Sequence, residues 1–594
     1  MIKTDSIWIA AIARGHNSSV CLLKDGEVIF NIEEERLSRQ KYDGGPFAGM
    51  YKILEYTDKI DYLVIAHTQP LGEASRIDFS GDDVYTGLAR KLGLISRKEN
   101  PFDHPQVIDM SSYHHKLHAA CAFYRSGFDT AAGVVVDGAG TFINMGDNVV
   151  WEVETIFNCS YPNNIQTIRK NIGTTGPTIE KFATNIDGAI FNDNEPHEAY
   201  VFEKAGITKT YEAVTEYCGW NFIEAGKTMG LFPYGKPNNN IPSLFHKTAY
   251  GDVSNRNLII PTYPNGAYVN KDVYLELSDS GEEHQDLTLL QNRRDLAYAV
   301  QTQTQEQVLK LIQKAVEMTG QNKVVISGGY GLNCVANYYY LDNLDNDIEI
   351  YVEPVSNDSG TAMGAALLQW YNISKDTNVR ERKETLYEGF SYQYSSDDIN
   401  KIASKYNATV QPATNEDVIK LITDKNIVSI FQGKSENGPR ALGNRSILYD
   451  PTDPNGKDFV NSVKHREYFR PFAGSILEED VHEWFDLRGM ESSPTMMYAV
   501  NCQPGVEEKI PAIIHVDGTC RIQTVNREQN ENYYDLIKAF KDATGCPIIF
   551  NTSFNLGGEP LVETLEDALW TLSESKINYL YLPEYKTLIT CTSE

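Results

Sequence analysis

At 594 residues the chain exceeds the roughly 250–300 residues at which a single core stops growing, so two or more domains are expected. Its composition is that of a globular protein, but a net charge of −28 disfavours nonspecific grip on nucleic acid or an anionic membrane. Nine scattered cysteines without a C-x-x-C, an N-terminal apolar run too short for a signal sequence, and no apolar stretch of roughly 18–20 residues predict a soluble cytoplasmic protein with no membrane partner.

In chain order, residues 7–13, 19–23 and 28–32 are short apolar segments divided by turns, the pattern of a β-meander. The first turn, Gly15-His16-Asn17-Ser18-Ser19, either positions a phosphate or hydroxyl or is an ordinary polar hairpin. The run from Glu33 to Lys41 carries both signs of charge and reads as a solvated helix face. Further strands are expected at 62–66 and 107–108, before the stretch SYHHKLHAACAFYRSGFDTAAGVVVDGAGT. There His114 and His118 stand at i and i+4, which puts both imidazoles on one helix face about 6 Å apart at Cβ, a spacing suited to one metal ion. A bare H-x-x-x-H is also an ordinary surface pair. What raises it is Asp137 at the end of the apolar strand 132–136, followed by Gly138 and Gly140, since strand-end acids with glycine turns are where α/β folds place phosphates and metals. Meander, helix, strand, helix, strand is the pattern of an RNase H-like half, and a chain this long has room for two.

Residues 149–206 read as a polar, irregular excursion suited to acceptor specificity, and 238–286 as a second acidic insertion. Between them, Lys227 lies in a Gly/Lys turn that lacks the Walker A spacing. A long amphipathic helix over 296–318 feeds a strand at 323–326 and the turn Ser327-Gly328-Gly329-Tyr330-Gly331-Leu332-Asn333. A strand at 348–352 then leads to Asp358, which on its own merits is a helix cap. Three glycine-rich strand exits suggest a duplicated phosphate-binding fold, closed by a charged linker over 375–388.

Beyond the linker, a strand at 427–431 leads to Lys434, Arg440 and Arg445, followed by Lys464, Arg466, Arg470, Arg521 and the block Asn551-Thr-Ser553-Phe-Asn555. Set among small and apolar residues in an acidic protein, these cations form either a pocket for a phosphate-bearing substrate or a set of structural ion pairs.

Together HHKLHAACAFYRSGF, VVVDGAG, EAGKTMGLFPYGKP, SGGYGLN, ENGPRALGNRSIL, REYFRPFAGS, HVDGTCRIQTV and NTSFNLGGEPLVET resemble the O-carbamoyltransferases of the nodulation and antibiotic-tailoring type. The resemblance spans most of the chain and implies an α/β protein: a duplicated RNase H-like (ASKHA, Kae-type) domain over 1–384, then an α/β YrdC-like domain over 385–594. It implies that the second domain makes carbamoyl-adenylate from carbamoyl phosphate and Mg-ATP, and that the first passes the carbamoyl group to a hydroxyl. By motif, His114, His118, Asp137 and Asp358 would hold Fe(II) or another divalent transition metal, with His16 as general base and Lys41 as an anion-stabilising cation. Nucleotide and phosphate contacts would come from Gly138, Gly140, Lys227, Gly328, Gly329 and Asn333, and from Lys434, Arg440, Arg445, Lys464, Arg466, Arg470, Arg521, Asn551, Ser553 and Asn555. Lys41-Tyr42, Tyr330-Gly331 and Ala473-Gly474 depart from the family's usual residues and leave the acceptor open.

The expected partner is a small sugar-like or natural-product hydroxyl acceptor, with a homodimer as the assembly. Nucleic acid enters only as a modified base, 5-hydroxymethylcytosine free or in DNA. For that alternative Arg90, Lys91, Arg97, Lys98, Arg169, Lys170, Arg293 and Arg294 would be local phosphate contacts, or else scattered solvated charge. An ASKHA-type kinase or ATPase is the alternative class. It would share DGAG and SGGYG but has no use for GPRALGNRS or NTSFN.

Overall fold

The computed structural model describes residues 6–68, 84–96, 104–145, 148–174, 182–184, 197–248, 251–262, 266–272 and 286–591. They fall into two compact units, Met1–Glu34 with Gly44–Lys383, and Glu35–Asp43 with Glu384–Glu594.

In the first unit the opening meander is β1 (Trp8–Ala13), β2 (Ser19–Lys24) and β3 (Glu27–Glu33), and β4 (Tyr62–Ala66) and β5 (Val107–Asp109) add in parallel on the other side of β1, giving the order β3-β2-β1-β4-β5. The same plan recurs with β6 (Thr130–Val136), β7 (Asn148–Ser160), β8 (Asn164–Thr174), β9 (Lys323–Ser327) and β10 (Glu349–Val352). These run β8-β7-β6-β9-β10, with β6 antiparallel to β7 and parallel to β9. Five strands of identical order and direction in each sheet make this unit a duplicated RNase H-like, ASKHA-type fold; the second sheet also takes in Phe142–Met145, Phe182–Thr184 and Glu198–Phe202. Its central strands β1 and β6 are continuous apolar runs because both of their faces are covered.

Three helices cover those faces: α1 (His114–Arg125), α2 (Gln291–Thr319) and α3 (Ser359–Ser374). Helix α1 packs on β6 and β9, α3 packs on β1, β2 and β4, and α1 and α3 pack on each other. The small residues of α3 permit that approach. A Cβ at Gly364 would overlap the Leu117 carbonyl of α1, and the Leu117 carbonyl carbon would lie only 2.9 Å away.

Two expectations are corrected here, for the stretch after 149 and for the charged run after β3. The stretch after 149 is not irregular: β7 and β8 are long strands of the second sheet, with Trp151, Val153, Ile156, Phe157 and Cys159 buried. The 238–286 insertion contains two hairpins, Phe245–Thr248 with Gly251–Ser254 and Ile259–Thr262 with Gly266–Val269. The charged run after β3 is not solvated, because Glu33, Glu34, Glu35 and Arg36 are each at most 5% exposed. Glu34, for example, accepts hydrogen bonds from the Ala48 and Gly49 amides at 2.7 and 2.9 Å. Residues 175–181, 185–196, 249–250, 263–265 and 273–285 of the two expected insertions lie outside the described residues.

The second unit is built on a sheet running, in spatial order, Thr409–Pro412, Thr587–Thr590, Tyr579–Leu582, Val428–Phe431, Arg445–Tyr449, Ile548–Ser553, Ala473–Leu477, Thr519–Val525, Ala499–Cys502 and Phe485–Asp486. The helix Glu531–Thr544 packs on its central strands through Tyr533, Leu536, Ile537 and Phe540. Segment 375–388 has no regular structure, although Leu386 is fully buried. No helix among the described residues is long and apolar enough to cross a membrane.

Candidate metal and anion sites

In the first unit the duplicated sheets bring three chain elements to one point. Helix α1 presents His114 and His118, the C-terminal end of β6 presents Asp137, and the start of α3 presents Asp358. The two imidazole Nε2 atoms face each other at 3.2 Å. His114 Nε2 lies 3.5 Å from Asp137 Oδ2 and 3.6 Å from Asp358 Oδ1, and His118 Nε2 lies 3.9 and 3.6 Å from the same atoms. Asp358 is not a helix cap, since its side chain makes no cap hydrogen bond and turns to the imidazoles instead.

The donor set fits a divalent metal. With bonds of about 2.1 Å, adjacent ligand atoms sit about 3.0 Å apart on an octahedron and about 3.4 Å apart on a tetrahedron, and the separations given above, 3.2 to 3.9 Å, run from these values to slightly above them. The two carboxylates also make the site favour positive charge. Burial disfavours charge on His114, yet Asp137 and Asp358 outweigh it and push its pKa up to about 10. Burial likewise opposes ionisation of Asp137, but the adjacent imidazoles hold it well below the usual carboxylate range.

Surrounding groups hold the four in place. The Gly329 amide donates to Asp137 Oδ1 at 2.9 Å, and Ser327 Oγ lies 3.4 Å from His118 Nδ1. Gly328, at φ +91°, is required there, because a Cβ would collide with the Val136 backbone, its carbonyl carbon only 2.6 Å away. The N-terminus of α1 has no cap from its own sequence. Instead the His114 amide donates to Thr141 Oγ1 at 3.3 Å and the His115 amide to Glu152 Oε2 at 3.3 Å. Glu152 also accepts from the Thr141 amide at 3.0 Å and pairs with Lys170 at 2.8 Å, both side chains buried. His115, between the ligand candidates, turns away to Thr155 Oγ1 at 2.8 Å. His16, 48% exposed, lies 4.0 Å from Asp358 through Nδ1.

Several expected phosphate contacts of this unit are engaged elsewhere. The Gly140 amide donates to the Glu152 carbonyl at 2.9 Å, and a Cβ there would meet the Glu152 carboxylate at 2.5 Å, so Gly140 accommodates an acid and is no anion cradle. Gly138 faces the Lys209–Glu212 pair. The Gly329 amide is taken by Asp137, Asn333 exchanges hydrogen bonds with Gln301, and Lys227 pairs with Glu224 at 2.8 Å. Four of the basic residues weighed as nucleic-acid contacts have partners within the chain, and the first three are buried: Arg169 bonds Glu198, Lys170 pairs with Glu152, Arg293 stacks 3.8 Å over Tyr217, and the half-buried Arg294 donates to the Thr288 carbonyl. Arg90 and Lys91 end a helix, Val84–Lys91, while Arg97 and Lys98 lie outside the described residues.

In the second unit the cations sort into two groups. Arg440, Arg466, Arg470 and Arg521 converge closely enough that burial, then Arg470, Arg521 and Arg440, drive the pKa of Arg466 well below the usual arginine range. The Nε atoms of Arg466 and Arg521 are buried with no hydrogen-bond partner among the described residues. Half-buried guanidinium groups clustered so that they repel one another are suited to receiving an anion, which makes this a candidate anion site.

Arg445 and Lys464 are corrected to a scaffolding role. Arg445 is fully buried, stacks 3.8 Å over Phe431, and donates to the carbonyls of Gln432, Gly433, Asn444 and Glu563. Lys464 bonds the Ser553 carbonyl, the Asn555 carbonyl at 2.7 Å and Asn555 Oδ1 at 3.1 Å. Asn551, Ser553 and Asn555 shape the same loop through bonds to Ser475 Oγ, Asn555 Oδ1 and the Glu559 carbonyl. Lys434 is exposed. Lys41 belongs to this unit, where it pairs with Glu35 at 2.6 Å, so its charge is locally balanced.

The sequence analysis missed Thr141, Glu152 and Arg36. Acids interleaved with apolar residues in a strand, as in Val149-Val-Trp-Glu152-Val-Glu154, are the signal that Glu152 is buried and needs a partner.

Two family profiles match the chain: "Carbamoyltransferase N-terminus" over residues 98–367 and "Carbamoyltransferase C-terminus" over 419–588. Nodulation protein NolO of Bradyrhizobium diazoefficiens is 30% identical over 479 residues, covering 79% of this chain and 77% of its own. Nodulation protein NolNO of Sinorhizobium fredii is 29% identical over 596 residues, covering 96% of this chain and 78% of its own. Among solved structures, full-length HypF in its phosphate- and nucleotide-bound form aligns at 14% identity and a TM-score of 0.34, over 62% of this chain and 47% of that one.

Proposed function

The chain belongs to the carbamoyltransferase family and is a transferase, and we propose that it carbamoylates a hydroxyl acceptor in two steps, using carbamoyl phosphate and ATP. The observation that carries this is the division of chemistry between the units, with a His2Asp2 cluster in the first and a four-arginine cluster in the second.

In the first step, carbamoyl phosphate and a water lose inorganic phosphate to leave carbamate, whose oxygen attacks the α-phosphorus of ATP and expels pyrophosphate. The product, carbamoyl-adenylate, is a mixed anhydride with AMP as its leaving group. Arg440, Arg466, Arg470 and Arg521 neutralise the phosphate oxygens on both substrates. Arg445 and Lys464 fix the loops that carry the site.

In the second step the acceptor oxygen attacks the carbamoyl carbon, the bond to AMP breaks, and the acceptor proton passes to a base, for which His16 is placed beside Asp358. His114, His118, Asp137 and Asp358 would hold a divalent transition metal, Fe(II) by family resemblance, which when bound supplies Lewis acidity toward the carbamoyl group. The acceptor is a small sugar-like or natural-product hydroxyl. Internal partners for Arg169, Lys170, Arg293 and Arg294 support that choice over a hydroxymethylated base in DNA.

Mass spectrometry of an acceptor panel incubated with enzyme, ATP and carbamoyl phosphate tests this. A carbamoyl increment on a sugar-like or natural-product hydroxyl is expected. An increment only on hydroxymethylated DNA would overturn the acceptor, and one only on amines would overturn O-transfer.

A further inference from the structure

Two arginines from the beginning of the chain are built into the second unit. Arg36, 3% exposed, donates from Nη1 to the Glu436 carbonyl at 3.2 Å and from Nη2 to the Gly438 carbonyl at 2.6 Å. Arg39 donates from Nη1 to the Leu561 carbonyl at 2.7 Å and from Nη2 to the Pro560 carbonyl at 3.2 Å, with its Nε 3.6 Å from Asp567. Both forks are therefore spent on main-chain oxygen, a use that suits a planar guanidinium able to bridge two acceptors.

The carbonyls they hold belong to the two loops that frame the arginine cluster. Loop 436–444 carries Arg440, and loop 554–563 follows the strand that holds Thr552, whose hydroxyl lies 3.3 Å from Arg466 Nη1. The first loop is gripped from both sides of its backbone. The fully buried Glu436 Oε1 accepts the amides of Leu442 at 2.7 Å, Asn444 at 2.9 Å and Arg445 at 3.2 Å, and Arg36 takes the carbonyls. Four like charges converging at the cluster push one another apart, so the loop presenting Arg440 needs restraint from outside the cluster. Arg36 supplies it from 400 residues away in sequence.

Resting on the two-step function above, we propose that Arg36 is a positioning residue for the carbamoyl-phosphate-consuming half-reaction: it fixes the loop that aims Arg440 at the substrate anion, and Arg39 braces the neighbouring loop. The segment Glu35–Asp43 is thus a working part of the adenylate-forming unit rather than of the unit that surrounds it in sequence.

The test compares carbamoyl-phosphate-dependent pyrophosphate release by full-length wild type, Arg36→Met and Arg36→Lys, recording metal content and thermal unfolding midpoint for each. For Arg36→Met, kcat/KM for carbamoyl phosphate falls about 10- to 100-fold at wild-type metal content, and added millimolar guanidinium restores part of it. Arg36→Lys, which keeps the charge but reaches fewer carbonyls, falls between the two. If wild type releases no pyrophosphate, the two-step function itself fails. If wild type is active and either variant matches it within about twofold, the positioning role is overturned while that function stands. A loss that guanidinium does not restore and that tracks a lowered unfolding midpoint in both variants also overturns it, in favour of a purely structural arginine.

Discussion

Glu152→Gln isolates the buried ion pair that anchors α1, the helix carrying His114 and His118. Glu152 and Lys170 are 1% and 3% exposed and 2.8 Å apart, and Gln preserves the shape while removing the charge. Two routes give the magnitude. Leaving one member of a buried pair uncompensated costs about 3–5 kcal/mol. Independently, burial pushes the Glu152 carboxyl up, but Lys170 and its other partners outweigh this and hold it at about 2 against an ordinary 4.5, a difference of about 3 kcal/mol at roughly 1.4 kcal/mol per pH unit. Because the folded-state pKa is depressed, this stability is fully present above pH 4.5 and is lost as pH falls toward 2. Urea titrations of wild type and Glu152→Gln at about pH 7 and about pH 3 therefore differ by about 3 kcal/mol at the higher pH and by markedly less at the lower. Adding Lys170→Met to Glu152→Gln recovers most of the loss, since it removes the buried ammonium that the first change leaves unpaired. A wild-type advantage below about 0.5 kcal/mol at pH 7, or one independent of pH, would refute the reasoning.

Other expectations follow from single contacts. Metal analysis of wild type should give about one divalent transition metal per chain, and His118→Ala should lose it without unfolding, because it removes one corner of a converged donor set; equal content in both would contradict this. Gly328→Ala should destabilise the first unit by more than about 2 kcal/mol in the same urea assay, since φ is +91° and the new methyl meets only backbone at Val136. Arg440→Ala and Arg445→Ala should part ways: the first abolishes pyrophosphate release with little change in unfolding midpoint, whereas the second lowers the midpoint because it strands buried carbonyls.

Much of the first unit was legible in the sequence because its signals are local. The meander, the β6 strand, the α1 face carrying His114 and His118, and the long helix α2 all follow from apolar periodicity and turn residues. Convergence is not local. Asp358 at a helix start looks like a cap, and only the packing of α3 on α1 through Gly364 turns it to the imidazoles. Charge patterning misled at the Glu33–Lys41 run, because a charged residue among polar neighbours reads as solvated whether or not a partner awaits it. Arg36 finds its carbonyls, and Glu152 its lysine, only after the chain has folded over long separations. The same limit applies to the C-terminal cations. Composition places Arg440 and Arg445 side by side in one motif, and only geometry assigns one to the cluster and the other to the scaffold.

The division of labour between the units is tested most directly by pyrophosphate release from ATP in purified Asp137→Asn protein, with and without carbamoyl phosphate. Release that depends on carbamoyl phosphate and proceeds at nearly the wild-type rate, with no carbamoylated acceptor formed, is the predicted result. Release lost as completely as in Arg440→Ala, or equal without carbamoyl phosphate, would contradict it.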